Sequence, residues 1–218
     1  MLELYGHPFA AFAWKPLIAL YERDVPFTFR VIDPDHPERK RRIAELSPTG
    51  QMPALVDGGR EITQSNAVIE YLDLHHGTAP PMVPRDAAGA LDARMMADIF
   101  DDYVAGPMQR IVADALRVQA ERDARGVADA KVLLGRSYAW LDRRLGPRDW
   151  AACGRFTIAD CAAAPALFYA DWAHPIPEAH ARLQAYRARL LARPSVSRCV
   201  EAARPYRAYF PLGAPDRD

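Results

Sequence analysis

The chain has 218 residues, half of them apolar and 26% charged, enough material for one large buried core or two modest ones. Its 28 basic and 28 acidic side chains cancel, so no overall field favours nucleic acid, an anionic membrane or an acidic partner, and a small molecule is the expected partner. The N-terminus lacks the basic-then-apolar plan of a signal peptide, and no apolar run approaches the ~20 residues of a membrane span; the expected compartment is the cytoplasm.

In chain order, residues 2–5 (LELY) and 27–32 (FTFRVI) are β-prone, and the segment between them has helical apolar spacing through Trp14, Leu17, Ile18 and Tyr21. This reads as β-α-β with a right-handed crossover. The charged stretch HPERKRRIAEL reads as a helix, and PALVD and EIT flank Asp57-Gly58-Gly59-Arg60, a hairpin signal. A further helix is expected from Ser65, as its cap, to about His76. The N-terminal order is therefore β-α-β-α-β-β-α. The segment GTAPPMVPRD carries Gly77, Pro80, Pro81 and Pro84 and reads as the domain boundary, with a domain over 1–77, a linker over 78–85 and a second domain over 86–218.

Everything beyond the boundary reads helical. Leu91, Met95 and Ile99 form one expected core stripe, and Leu134, Tyr138, Leu141 and Leu145 another; Gly106-Pro107 is expected to bend the first long helix. Met95, Met96 and Met108 have helical spacing and read first as core, with an adaptable ligand pocket as the alternative. Cys153, Cys161 and Cys199 have neither disulfide nor zinc-ligand spacing, so no metal site is expected. The basic run Arg39-Lys40-Arg41-Arg42 has acidic neighbours Glu38 and Glu45 and reads as a solvated helix face.

Three local signals carry chemistry or folding information. Gln51-Met52-Pro53 opens a strand in the manner of a cis-proline segment, whose outward peptide can pair with an extended peptide ligand. Gln64-Ser65-Asn66 stands at a helix entry, where unpaired N–H groups and the positive dipole end suit a carboxylate. Thr157-Ile158-Ala159-Asp160, preceded by Phe156, is a capping box with an available hydrophobic staple, a folding marker.

Together GQMPAL, ITQSNAVIEYL and GRFTIADCAAAP resemble the glutathione transferase family, over nearly all of the chain from Leu2 to about Ala203. The resemblance implies a thioredoxin-like α/β N-terminal domain, an all-helical C-terminal domain, a two-fold homodimer, and glutathione as co-substrate for small hydrophobic electrophiles. It implies that Met52 pairs its backbone with the cysteinyl part of glutathione, with Pro53 cis, and that Gln64 and Ser65 hold the γ-glutamyl carboxylate. Gln51 and Lys40 are further candidates, Lys40 for the glycine carboxylate. Phe9, Tyr103 and Met108 are the expected acceptor pocket.

The family places a Ser, Cys or Tyr just after the first strand to stabilise the thiolate, and here Ala10 stands where the serine or cysteine usually does. Two substitutes are open: the Tyr5 phenol, and the backbone N–H groups of residues 10–12 at the helix N-terminus. His7 is close in sequence but reads as a turn residue. A non-catalytic binding protein of the same fold, and a glutathione-dependent isomerase or peroxidase, are the alternative functions.

Overall fold

The computed structural model describes residues 1–76 and 79–218. The expected domain junction at 77–78 lies outside the described residues. The N-terminal half runs β1 (Leu2–Gly6), α1 (Ala11–Glu22), β2 (Thr28–Val31), α2 (Pro37–Leu46), β3 (Ala54–Asp57), β4 (Arg60–Thr63) and α3 (Ser65–His75). The strands form one mixed sheet in the order β2-β1-β3-β4, with β1 parallel to β2 (Glu3 opposite Thr28) and antiparallel to β3 (Glu3 opposite Val56). The β3–β4 hairpin closes on Gly58 and Gly59, at φ +55° and +92°, a left-handed pair that side chains other than glycine rarely adopt.

Alternation along β1 sorts its side chains between two layers. Leu2 and Leu4 face the main core, under α1 and α3, whereas Tyr5 packs on the opposite face with Ile43 and Leu46 of α2. At Gly6 the strand comes so close to α1 that a Cβ would lie 3.0 Å from the Ala13 Cβ and 3.2 Å from the Phe29 ring. That contact sets the N-terminus of α1 hard against the end of the sheet.

The second half is helical: α4 (Ala87–Phe100), a π-helical turn (Asp101–Ala105), α5 (Gly106–Ala115), α6 (Ala124–Leu145), α7 (Ile158–Ala173), α8 (Ala181–Leu191) and α9 (Pro194–Ala203), ending in a 3-10 segment (Arg204–Tyr209). The bend expected at Gly106-Pro107 takes the form of the π turn just before it, where the Gly106 N–H donates to the Asp101 carbonyl five residues back. Proline cannot donate to the preceding turn, and widening that turn accommodates the ring without breaking the helix.

Helix α7 is the centre of the molecule, buried along its length from Ile158 to Trp172. Its alanines let α1 and α4 approach closely, and Trp14 of α1 packs on Phe168 and Tyr169 with ring centroids 5.0 and 5.5 Å apart. One apolar core therefore runs through both halves, each large buried side chain contributing ~1.5–3 kcal/mol of transfer free energy. The capping box is present: the Thr157 hydroxyl accepts from Ala159 N and the Asp160 carboxylate accepts from Thr157 N. Phe156 lies edge-on to Trp150, under the Arg193 guanidinium.

The α4 stripe differs from expectation. Leu91 is 69% exposed and Met95 41%, while Ala90, Ala93, Met96, Ala97 and Phe100 face inward. Helix α4 is apolar on two sides, and the small-residue side wins because only it allows close packing on the alanines of α7. No helix among the described residues is long and apolar enough to cross a membrane.

Candidate functional site

A cleft of ≈ 660 Å³ lies between the two halves. Its α/β wall is made of the loop before α1 (Phe9, Ala10), the first residues of α1 (Ala11, Phe12), the segment from Ser47 to Pro53, and Gln64-Ser65 at the start of α3. The facing wall comes from α5 (Met108, Gln109, Val112) and Leu116 just after it, from Tyr169 of α7 and from Tyr209, Phe210 and Pro211 near the chain end. No aspartate, glutamate, lysine, arginine or histidine is among these lining residues.

Three backbone features point polar groups at this space. The first is the N-terminus of α1. Ala10 caps it in extended conformation with no side-chain hydrogen bond. Its carbonyl takes the N–H groups of Ala13 and Trp14 at 2.9 and 3.3 Å, and its own N–H is spent on the His7 carbonyl at 3.0 Å. The amides of Ala11 and Phe12 have no partner among the described residues, and they sit at the positive end of the helix. The loop that leads into them is tied at three points: the Trp14 indole donates to Pro8 O at 2.6 Å, Tyr169 Oη to Phe9 O at 3.0 Å, and Phe9 N to His7 Nδ1 at 3.0 Å. Burial holds the His7 imidazole below its ordinary value, so it stays the neutral acceptor that this last bond requires.

The second feature is the Met52-Pro53 peptide, which is cis. Ladder pairing of β3 with β1 begins at Ala54, so the Met52 N–H and C=O are left without a backbone partner among the described residues. The third is the start of α3. Its cap is Gln64, at φ +69°, not Ser65; Ser65 is the first helical residue, largely buried, with no side-chain cap on the helix. A non-glycine residue held at positive φ costs on the order of 1–3 kcal/mol and recurs at ligand sites. The N–H groups of Ser65, Asn66 and Ala67 have no backbone partner among the described residues; Ser65 lines the cleft, and Asn66 and Ala67 line an adjoining pocket with Asp98, Asp101, Asp102 and Arg110.

Behind α3, a fully buried Lys15 of α1 pairs with Asp101 of the π turn, and the Asn66 amide donates to the same carboxylate at 3.1 Å. Burial lowers the Lys15 pKa and raises that of Asp101, each offset in part by its partner. This network fixes the entry of α3 relative to α1 and the helical half.

Of the residues expected from the sequence, Phe9, Gln51, Met52, Pro53, Gln64, Ser65 and Met108 line the cleft together, and Tyr5, Lys40 and Tyr103 do not. Tyr5 is on the far face of the sheet, its hydroxyl 3.3 Å from Glu3, and burial with that carboxylate pushes its phenol above the ordinary value. Lys40 is exposed on α2. Tyr103, within the π turn, is 51% exposed and is not among the residues that line the cleft. Sequence reasoning missed Ser47, Gln109, Tyr169 and the Tyr209–Pro211 wall; the aromatic run PYRAYFPL was the available signal for the last.

The glutathione S-transferase N-terminal domain model matches residues 4–81, and the glutathione S-transferase C-terminal domain model matches residues 119–189. The chain belongs to the glutathione transferase family. A family member from Methylobacterium radiotolerans, solved in complex with glutathione sulfonate, is 28% identical with a TM-score of 0.78 over 91% of this chain and 94% of that one. A glutathione S-transferase of Silene vulgaris is 25% identical over 205 residues, 89% of this chain and 94% of that protein. A probable maleylacetoacetate isomerase of Caenorhabditis elegans is 31% identical over 94 residues, 43% of this chain but less than half (44%) of that protein's own length. The thioredoxin-like fold with its helical partner domain is thus that of the glutathione transferases.

Proposed function

We propose that the cleft binds glutathione and that the protein joins its sulfur to small hydrophobic electrophiles. The observation that carries this reading is the pair of unpartnered amides of Ala11 and Phe12, open to the same cleft as the Met52 peptide and the N-terminus of α3. In this reading Met52 pairs with the cysteinyl unit, Gln64 and Ser65 hold the γ-glutamyl carboxylate, and Gln51 lies toward the glycine end. The thiolate rests on the α1 amides, whose helix end lowers thiol pKa values from ~8.5. Phe9, Met108, Val112 and Leu116 are the apolar acceptor wall. We read the protein as a cytoplasmic homodimer, joined through the outward apolar side of α4 with Leu91 and Met95.

The test is thiolate ultraviolet absorbance against pH at saturating glutathione, with turnover of an aryl halide. Saturable binding with the bound thiol well below ~8.5 supports transfer; no binding at millimolar glutathione ends the reading. A second reading rests on Ala10: without a hydroxyl there, the site holds glutathione without activating it, and the protein is a binding module. Saturable binding with an unshifted thiol is its signature.

A further inference from the structure

The loop of residues 8–10, between β1 and α1, spends every main-chain polar group it has. Pro8 O accepts from the Trp14 indole at 2.6 Å and Phe9 O from the Tyr169 hydroxyl at 3.0 Å. Ala10 O takes the N–H groups of Ala13 and Trp14 at 2.9 and 3.3 Å. Proline has no N–H, so two loop donors remain, and His7 receives both. Phe9 N donates to its ring Nδ1 and Ala10 N to its carbonyl, each at 3.0 Å. The next two donors in the chain, Ala11 and Phe12, are the ones left for the cleft.

Nδ1 of histidine is bonded to Cγ, as Oδ1 of asparagine is. The His7–Phe9 bond therefore has the connectivity of the turn in which an Asn or Asp side chain takes the N–H two residues on. To accept, Nδ1 must be bare, which puts the ring proton on Nε2. The half-buried ring lies edge-on to Tyr206, centroids 4.5 Å apart, so its orientation is set from outside the loop by the 3-10 segment that leads to the Tyr209–Pro211 wall. Ala10 offers no hydroxyl, and the direction of the main chain alone aims donors at this part of the cleft. Without Nδ1, the Phe9 N–H would be unpaired in a partly buried loop, and its peptide would turn toward water, taking the Ala10 cap of α1 with it.

We propose that His7 is a positioning residue for thiol activation: its ring Nδ1 fastens the Phe9 peptide so that the Ala11 and Phe12 amides stay aimed at the sulfur of bound glutathione. The proposal rests on the transferase reading above, in which those amides hold the thiolate. His7 does not line the cleft and acts only through the loop.

The experiment titrates glutathione bound to the natural protein, His7→Ala, His7→Gln and His7→Asn, reading thiolate absorbance against pH. Melting temperature and kcat for benzyl chloride are recorded for each. Asparagine carries its oxygen on Cγ, within reach of Phe9 N; glutamine carries it one carbon further out. We expect the bound thiol pKa to rise by about 0.5–1 unit in His7→Ala and His7→Gln, the span set by one hydrogen bond of ordinary strength, and to stay within about 0.2 unit of the natural value in His7→Asn. Turnover at neutral pH should follow the thiolate fraction in all four proteins. Where His7→Ala does not fold, His7→Gln carries the comparison. A lower melting temperature with the thiol pKa unmoved would leave His7 a structural residue only and overturn the proposal. A pKa raised as far in His7→Asn as in His7→Gln would trace the effect to the lost Tyr206 contact and overturn it too. If the natural protein itself binds glutathione with its thiol near ~8.5, the α1 amides do not activate it, and the transferase reading fails without recourse to any variant, taking this one with it.

Discussion

Proline at position 11 would remove one amide hydrogen from the cleft and little else. Ala11 is the first residue of α1, its N–H has no partner among the described residues, and Ala10 before it is extended at φ −89° and ψ 115°, as a following proline requires. The helix keeps all its internal bonds, and the stiffer unfolded chain adds ~0.4–1 kcal/mol of stability. One N–H donated to a thiolate is a charge-assisted bond of ~1.5–3 kcal/mol, which at ~1.36 kcal/mol per unit is about 1–2 pKa units. Thiolate absorbance against pH should therefore show the bound thiol of Ala11→Pro moving up by that amount, toward the free value of ~8.5. Turnover at neutral pH should fall roughly in step with the thiolate fraction. Glutathione affinity, read from the same titrations, separates this loss from crowding by the proline ring. The companion variant Ala10→Ser adds a hydroxyl at the helix cap and should lower the thiol pKa further and raise turnover. An unmoved pKa in Ala11→Pro with binding intact would refute the view that α1 holds the sulfur.

Three further outcomes follow from the geometry. Tyr5→Phe should leave glutathione binding, thiol pKa and turnover unchanged, because the phenol faces α2 across the sheet; a tenfold loss of turnover would mean that the ring reaches the cleft. Asp160→Ala should destabilise by about 4 kcal/mol, since it strands the N–H groups of Ala151 and Thr157 and the Tyr186 hydroxyl in a buried site, and the melting temperature should drop by roughly 10 °C. Arg94 grips Glu70 through two bonds of 2.7 and 2.8 Å and holds its carboxyl below the ordinary 4.5. A lowered acid pKa stabilises above the unfolded value and is lost as pH falls through the folded one. Melting temperature against pH should accordingly fall less steeply on the acid side in Glu70→Gln than in the natural protein, and parallel curves would count against the pair.

The parts of this molecule that were legible in the sequence are those written in local patterns. The β-α-β-α-β-β-α order, the Gly58-Gly59 hairpin, the Met52-Pro53 bond and the Thr157–Asp160 box each depend on neighbours within a few residues. Assignments that needed tertiary information went astray for identifiable reasons. Ser65 has the chemistry of a cap, yet the sharp turn after β4 puts Gln64 in that place at positive φ. Leu91 and Met95 outweigh alanine on any hydrophobicity scale, but the fit against α7 is decided by size. Tyr169 closes the cleft by reaching Phe9 160 residues away, and no spacing within the sequence encodes that meeting.

That aspartate, glutamate, lysine, arginine and histidine are absent from the cleft lining has a consequence for how the protein responds to its medium. A tripeptide with two carboxylates would be held there by neutral dipoles, which are not screened as mobile ion pairs are, so added salt should weaken binding little. Nor does that lining hold an imidazole or a carboxylate of its own to titrate between pH 5 and 8. The pH dependence of turnover in that interval would then belong to the bound tripeptide's sulfur alone, and a plain rate profile would serve as its titration curve.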